Sequence, residues 1–244
     1  MNRLYSKNRF SLRLSLLLLI ALGQPCAAAE ISLRPFNASY NLYKGGMHIA
    51  ITELKLERAG EHWRWSSLTK ARGIYAWFTD KQPYTETSFN QVDNEVRLRE
   101  ILVADRGKNG RFESARFDWA KGEIDVLRKG KRRQVQLVDP VYDYQSIHLL
   151  AATMGQKQLT RATLDFYRKG KLVKSRFVYS GQGRVDVNGS SIDANVYEQM
   201  IVKSNSKIKY YYDADNPLLP LRIEKLESGE SPAILTLHQV DWGL

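Results

Sequence analysis

Cysteine is almost absent from this chain, whose 244 residues include one, Cys26. A single cysteine excludes a framework of internal disulfides and any zinc site built from several thiolates. Proline is sparse at seven residues, glycine stands at 16, and 43% of the residues are hydrophobic. This composition excludes a collagen-like or a disordered chain and indicates a globular protein.

Apolar runs long enough to cross a bilayer are missing as well. The apolar stretch over residues 14–22 is far shorter than the roughly 20 residues that a spanning helix needs. It follows four basic residues and no acidic one, and it precedes Gly23, Pro25 and three consecutive alanines over residues 27–29. This order predicts a secretory signal peptide over residues 1–29, cleaved after Ala29, and therefore a periplasmic location.

Cys26 leaves one alternative open, because bacterial lipoproteins are cleaved just before a cysteine that receives lipid. Such signals prefer a small residue directly before the cysteine, and Pro25 fits that position poorly. Cleavage after Ala29 instead gives a mature domain over residues 30–244 that contains no cysteine.

Hydrophobic residues alternate with polar ones along most of the mature chain, which is typical of strands buried on one face. Phe36, Ala38, Tyr40 and Leu42 show the pattern, and it resumes after the Lys44-Gly45-Gly46 turn. The alternation slips near Thr52, so we expect a β-bulge there. Further strands are expected over residues 62–70, 116–120, 123–128, 134–138, 161–168, 171–180, 184–187, 190–202, 207–212, 221–226 and 233–240.

Glycine-bearing turns join these strands at short, regular intervals, and Asn188-Gly189 is the strongest hairpin signal among them. Residues 143–154 differ, because Ile147, Leu150, Ala151 and Met154 have helical spacing. We therefore predict one all-β, mainly antiparallel domain. Its expected form is an open or spiral half-barrel of ten to fourteen strands, with this helix packed on it.

Three motifs in order resemble a family of uncharacterised exported Gram-negative proteins, known as a domain of unknown function. The first is Pro35-Phe36-Asn37-Ala38-Ser39-Tyr40, the second runs from Val138-Asp139-Pro140 to Leu150, and the third is Leu219-Pro220-Leu221-Arg222-Ile223. In architecture the family is loosely similar to periplasmic lipoprotein carriers, whose half-closed barrel holds acyl chains. The resemblance implies a β-rich exported domain and supplies no catalytic residues.

Catalytic and metal-binding patterns are weak in this sequence. The four histidines lack metal-ligand spacing, so no metal site and no cofactor is expected. Ser146 and His148 lie two apart, which on a helix points them to different faces. Asp213 and Asp215 fit a turn better than an acid–base pair. A glycan hydrolase is the least favoured function, and we expect no enzyme activity.

Basic residues cluster at two predicted hairpin tips and are candidates for contact with an anionic membrane surface or lipopolysaccharide. Charged tips that keep the protein soluble are the alternative explanation. No nucleic-acid partner is expected for an exported protein. The candidates are Arg128, Lys129, Lys131, Arg132, Arg133, Arg168, Lys169 and Lys171.

Aromatic residues supply the candidate ligand site, with core packing as the alternative. The stretch over residues 73–78 lies between strands and carries three of them without alternation, which suits a loop facing a ligand or a membrane. The candidate cavity residues are Trp63, Trp65, Tyr75, Trp77, Phe78 and Trp119.

Together these patterns predict a non-catalytic periplasmic protein of envelope maintenance that binds a lipid, an acyl chain or a lipoprotein segment in a concave apolar face. The alternative is a scaffolding module that binds an envelope protein or a cell-wall polymer.

Overall fold

One mostly antiparallel sheet of 15 strands dominates the structure. The computed structural model describes residues 31–92, 95–107, 112–202, 204 and 206–243. The predicted signal peptide over residues 1–29 lies outside the described residues. The strands are β1 (Phe36–Lys44), β2 (Met47–Ala59), β3 (His62–Ala71), β4 (Pro83–Val92), β5 (Glu95–Asp105), β6 (Phe112–Asp118), β7 (Glu123–Arg128), β8 (Lys131–Gln136), β9 (Val141–Tyr142), β10 (Arg161–Arg168), β11 (Lys171–Val187), β12 (Ser190–Ile201), β13 (Ser206–Asp213), β14 (Pro220–Glu227) and β15 (Ala233–Trp242).

Strands that follow one another in the chain are neighbours in the sheet. From one edge to the other, the order runs from β8 down to β1 and then from β15 down to β9. The β1–β15 pair joins the first strand to the last, and β9 runs parallel to β10. The predicted class, an open antiparallel sheet with a packed helix, is confirmed, and the strand number slightly exceeds the expected range.

Two helices accompany the sheet: α1 (Tyr75–Phe78) between β3 and β4, and α2 (Ile147–Gln156) between β9 and β10. The helix expected over residues 143–154 therefore begins four residues later, because residues 143–146 form a hydrogen-bonded turn before it. Within the described residues, neither helix has the length and apolar character needed to cross a membrane.

The concave face of the sheet is filled by α2 and by inward-facing side chains of the strands. Ile147, Ala151 and Met154 of α2 are completely buried, as are Tyr40 of β1 and Phe166 of β10. These residues belong to one continuous hydrophobic core. The alternation seen in the sequence thus places one side chain in two in this core.

The sheet curls until its two edge regions meet through side chains. Tyr167 of β10 packs edge-on against Phe117 of β6, with ring centroids 6.0 Å apart. The Tyr167 hydroxyl donates a hydrogen bond of 3.4 Å to the buried Glu113 carboxylate of β6. We call this contact between β6 and β10 the seam. Among the described strands, no backbone ladder joins β8 to β9, so the sheet stays open there.

Three details differ from the sequence predictions. The irregularity in β2 lies at Ile49 rather than near Thr52, because Leu42 pairs with Ala50 and Tyr43 with His48. Thr52 keeps its place on the inner face, where its hydroxyl and that of Thr69 share a hydrogen bond of 2.9 Å. The β4–β5 hairpin was not predicted, and the two strands expected over residues 171–187 form the single strand β11.

Candidate functional site

The concave face encloses a polar cluster around His148 of α2. Its Nδ1 atom and the Tyr212 hydroxyl share a hydrogen bond of 2.7 Å, and its ring lies 5.2 Å from that of Trp65. Burial lowers the pKa of His148 to about 3, so the imidazole is neutral. The cluster therefore joins α2 to β3 and β13 and leaves His148 buried.

A second buried cluster holds the turn before α2. Asp143 Oδ1 accepts hydrogen bonds from the backbone N–H and the hydroxyl of Ser146, at 2.9 and 2.6 Å. Asp143 Oδ2 accepts one from Thr87 of β4. Burial raises the pKa of the Asp143 carboxyl, and these donors partly offset the effect. Ser146 is thus bonded to Asp143 while His148 is bonded to Tyr212, so the three do not form a chain that activates a nucleophile.

The remaining candidates from the sequence are the Asp213–Asp215 pair and a possible metal site. Asp213 Oδ1 accepts a hydrogen bond of 3.0 Å from the backbone N–H of Asp215, which builds the local turn expected from the sequence. Across the described residues, no three histidine, cysteine or acidic side chains are grouped so that they could hold a metal ion.

The six aromatic candidates for a cavity lie in three separate places. Trp63 and Trp65 are buried in the core. Trp119 lies at the end of β6, where its Nε1 atom donates a 2.7 Å hydrogen bond to the Leu98 carbonyl. The other three, Tyr75, Trp77 and Phe78, form α1 outside the core. These six residues therefore do not line one common cavity, because Trp63 and Trp65 are buried in the core while Trp77 and Phe78 of α1 are exposed.

The eight basic candidates, by contrast, come together in one place. The β7–β8 and β10–β11 turns each consist of two residues with positive φ, near 50° at Lys129 and Lys169 and near 75° at Gly130 and Gly170. The Arg133 guanidinium, on β8 just after the first of these turns, donates to the Gly170 carbonyl and so joins the two hairpins across the open side of the sheet. We call the eight residues, Arg128, Lys129, Lys131, Arg132, Arg133, Arg168, Lys169 and Lys171, the basic patch.

Most of the positive charge of the basic patch faces solvent. Arg128 and Arg168 are partly buried, and the other six residues are exposed. Arg128 Nε lies 2.6 Å from the carboxylate of Glu113, which neutralises one charge and anchors the patch to the seam. The patch can therefore attract anions while its base is held by the core.

The described surface also carries a cluster of exposed apolar side chains, Met47, Ile74, Trp77 and Phe78, which we call the apolar tip. Trp77 is 89% exposed and Phe78 is 80% exposed. The Tyr75 hydroxyl lies 3.2 Å from Met47 Sδ and links α1 to the β1–β2 turn. Met47 is the member of the tip that the sequence did not indicate, because it belongs to a strand; Ile74 lies within the candidate stretch over residues 73–78.

The apolar tip and the basic patch lie at the same end of the sheet. In consecutive antiparallel strands, every second turn opens at the same end, and the turns after β1, β3 and β7 satisfy this condition. The β10–β11 turn touches the β7–β8 turn and so belongs there too. At a strand spacing of about 4.8 Å, four strands separate the two surfaces by roughly 20 Å along the sheet. We call this the tip end.

Comparison with known proteins identifies a family and a fold. The family model described as "Protein of unknown function (DUF3108)" matches residues 36–233. No curated protein sequence matches the chain. The crystal structure of a β-barrel-like protein of the domain of unknown function DUF1849 from Brucella abortus is similar, with a TM-score of 0.59 at 10% identity. The match covers 87% of this chain and 99% of that one.

A second solved structure is more distant. It is that of a putative exported protein with a YmcC-like fold from Bacteroides fragilis NCTC 9343, with a TM-score of 0.35 at 7% identity. The match covers 86% of this chain and 97% of that one.

Proposed function

This chain belongs to the DUF3108 family of unknown function, and from that premise we propose that it is a non-catalytic exported protein that binds phosphate-bearing lipids of the cell envelope through the basic patch. The observation that carries the proposal is the meeting of two hairpin tips through Arg133 and Gly170, which lie 37 residues apart in the chain. Their contact gathers eight basic side chains on one surface. Phosphate groups of phospholipids and of lipopolysaccharide share the negative charge that such a surface attracts.

The location of the charge supports a surface contact. A chain with 37 basic and 26 acidic residues carries an excess of positive charge, and the patch concentrates it at one end. The predicted signal peptide over residues 1–29 would deliver the protein to the periplasm, where anionic lipids line the compartment.

The interior supports the same conclusion. An acyl-chain carrier needs room on its concave face, and here that face holds α2 with Ile147, Ala151 and Met154 at 0% exposure. We therefore propose that lipid binds at the surface of the protein and not on the concave face of the sheet. Non-catalytic function is proposed because Ser146, His148 and Asp143 are all engaged in buried structural hydrogen bonds.

Vesicle binding tests the proposal. The protein should bind vesicles that contain phosphatidylglycerol, or lipopolysaccharide aggregates, and bind neutral phosphatidylcholine vesicles much more weakly. The triple variant Lys131→Ser, Arg132→Ser, Lys171→Ser should lose roughly a hundredfold in affinity, since each charge near an anionic surface contributes about 1 kcal/mol. Comparing the two lipid sources shows which one the patch prefers.

The matched control removes three exposed basic residues at the opposite end of the sheet: Lys121→Ser, Lys157→Ser, Arg161→Ser. This variant has the same net charge as the first, so it should retain nearly full binding if location matters. Equal losses in both variants, or no binding to either anionic surface, would overturn the proposal. Retained folding of the wild type with no lipid binding would favour a scaffolding function with a protein or polymer partner.

A further inference from the structure

The apolar tip is the most exposed hydrophobic feature of the described surface. Ile74 is 65% exposed and Met47 57% exposed, beside the still more exposed Trp77 and Phe78. Large apolar side chains grouped in this way on a folded protein mark an interaction site. Neither the core nor the seam uses them.

The geometry points to a lipid bilayer as the partner: we infer that the apolar tip inserts into the interfacial region of an anionic membrane, so that the protein stands on the membrane by its tip end. This inference deepens the proposed function and rests on it for the class of partner, but it concerns a separate set of residues.

The shape and chemistry of the tip fit a bilayer. Tryptophan and tyrosine favour the boundary between headgroups and acyl chains, where one side of the ring system is apolar and the other is wet. α1 is a single short turn at the end of a hairpin, so it forms a projection. Arg72 and Lys81 stand on either side of it, with Asp80 beside Lys81, and all three are exposed. The two basic charges outnumber the acidic one and complement anionic headgroups.

The backbone of the tip is prepared for a less polar environment. The N–H groups of Tyr75, Ala76 and Trp77 donate to carbonyls three residues earlier, at 3.2, 3.2 and 3.1 Å. Backbone groups that are already paired cost less to remove from water than free ones. A local helical turn is therefore a suitable form for a segment that enters the interface.

The tip is also firmly attached to the sheet. Asp105 Oδ1 accepts a hydrogen bond of 2.8 Å from the backbone N–H of Gln82, and Arg106 N–H donates to the Gln82 carbonyl at 3.0 Å. At the other end of the segment, Arg72 N–H donates to the Ile49 carbonyl at 3.0 Å. Insertion of the tip would therefore fix the orientation of the whole sheet and bring the basic patch towards the headgroups.

The test compares two double variants in sedimentation with phosphatidylglycerol-containing vesicles. Trp77→Ser with Phe78→Ser should weaken partitioning by about tenfold or more, since it removes the two largest inserting side chains. The matched control, Val138→Ser with Leu159→Ser, changes two exposed apolar residues at the opposite end and should bind like the wild type. Both pairs are exposed, so thermal unfolding should confirm that the variants remain folded.

A second measurement reports on insertion directly. Wild-type tryptophan fluorescence should be quenched by brominated acyl chains, and Trp77→Phe should remove most of that quenching while binding is retained. Unchanged binding of the Trp77→Ser, Phe78→Ser variant together with absent quenching would overturn the inference while leaving the basic-patch proposal intact. Binding to lipopolysaccharide aggregates but to no bilayer would do the same. If instead the basic-patch triple variant and its charge-matched control bind equally well, while Trp77→Ser, Phe78→Ser binds more weakly and the wild type is quenched, the basic-patch proposal fails and the inference about the apolar tip stands.

Discussion

At the level of single residues, His148 is a titratable group that folding removes from water. It lies between Trp65, Tyr210 and Tyr212, with ring centroids 5.2, 5.6 and 6.0 Å away. These aromatic neighbours exclude water and offer no negative charge, so burial disfavours the imidazolium and lowers the pKa to about 3. In the unfolded chain the same group titrates near 6.5.

This difference predicts an acid-sensitive contribution to stability. Below about pH 6.5, His148 binds a proton in the unfolded chain but not in the folded protein. Its contribution to the free energy of unfolding therefore has its full value above that pH. It decreases by up to about 1.4 kcal/mol per pH unit as the pH falls towards 3. Urea unfolding at pH 7 and pH 4 should show a loss about 3 kcal/mol larger for the wild type than for His148→Gln.

The matched control for this measurement is His238→Gln, because His238 is exposed. Its pH dependence should follow the wild type. If the free energy of unfolding changes with pH in the same way for the wild type and His148→Gln, His148 takes up its proton without unfolding the protein, which contradicts the prediction.

At the level of secondary-structure elements, two of the two-residue turns differ in how closely they pack against neighbouring residues. Gly170 and Gly189 occupy the same position in their turns, with φ of 75° and 81°. A Cβ at Gly189 would meet nothing within 4 Å, whereas one at Gly170 would lie 3.0 Å from atoms of both Arg128 and Arg133. The β10–β11 turn therefore fits closely against the β7–β8 turn.

A pair of alanine variants measures this fit. Gly170→Ala and Gly189→Ala should each cost about 1–2 kcal/mol for the left-handed backbone. Gly170→Ala should lose additional stability and should also weaken binding to anionic vesicles, because it pushes the two halves of the basic patch apart. Chemical denaturation and vesicle sedimentation supply the readouts. Equal stability losses with unchanged binding would mean that the two turns are not coupled.

At the scale of the whole molecule, the seam holds together two regions that are far apart in the sheet order. Burial raises the pKa of Tyr167 well above its usual range, so its hydroxyl stays protonated and donates to Glu113. The Phe117 ring covers the same tyrosine. Since no backbone ladder joins the described edge strands β8 and β9, side chains such as these carry the closure.

Removing this contact should open the sheet locally. Tyr167→Leu is expected to cost about 2–4 kcal/mol, as for other losses of a large buried side chain. Hydrogen exchange should quicken in β6, β7, β8 and β10 and stay unchanged in β1, β2 and β15. Tyr43→Leu, which alters a partly exposed tyrosine of β1, serves as the control. Uniform acceleration across all strands would instead indicate a general loss of stability.

Local features of this protein follow from its amino-acid sequence alone. Period-two alternation is a property of neighbouring residues, so Phe36, Ala38 and Tyr40 already indicate a half-buried strand, and Asn188-Gly189 indicates a turn. The same reasoning found α2 and both basic hairpin tips. It failed at Thr52, where a polar residue occupies an inner position because its hydroxyl bonds with Thr69.

The way these elements combine depends on contacts between distant parts of the chain. Trp65 is buried in the core, whereas Trp77 is exposed. Which of the two occurs depends on the elements that pack against each tryptophan, and the neighbouring residues in the chain do not indicate it. The Arg133–Gly170 bond joins residues 37 positions apart, and the Tyr167–Glu113 bond joins residues 54 apart. Such contacts form because the whole sheet twists and curls, and they place the basic patch and the apolar tip at one end of the molecule.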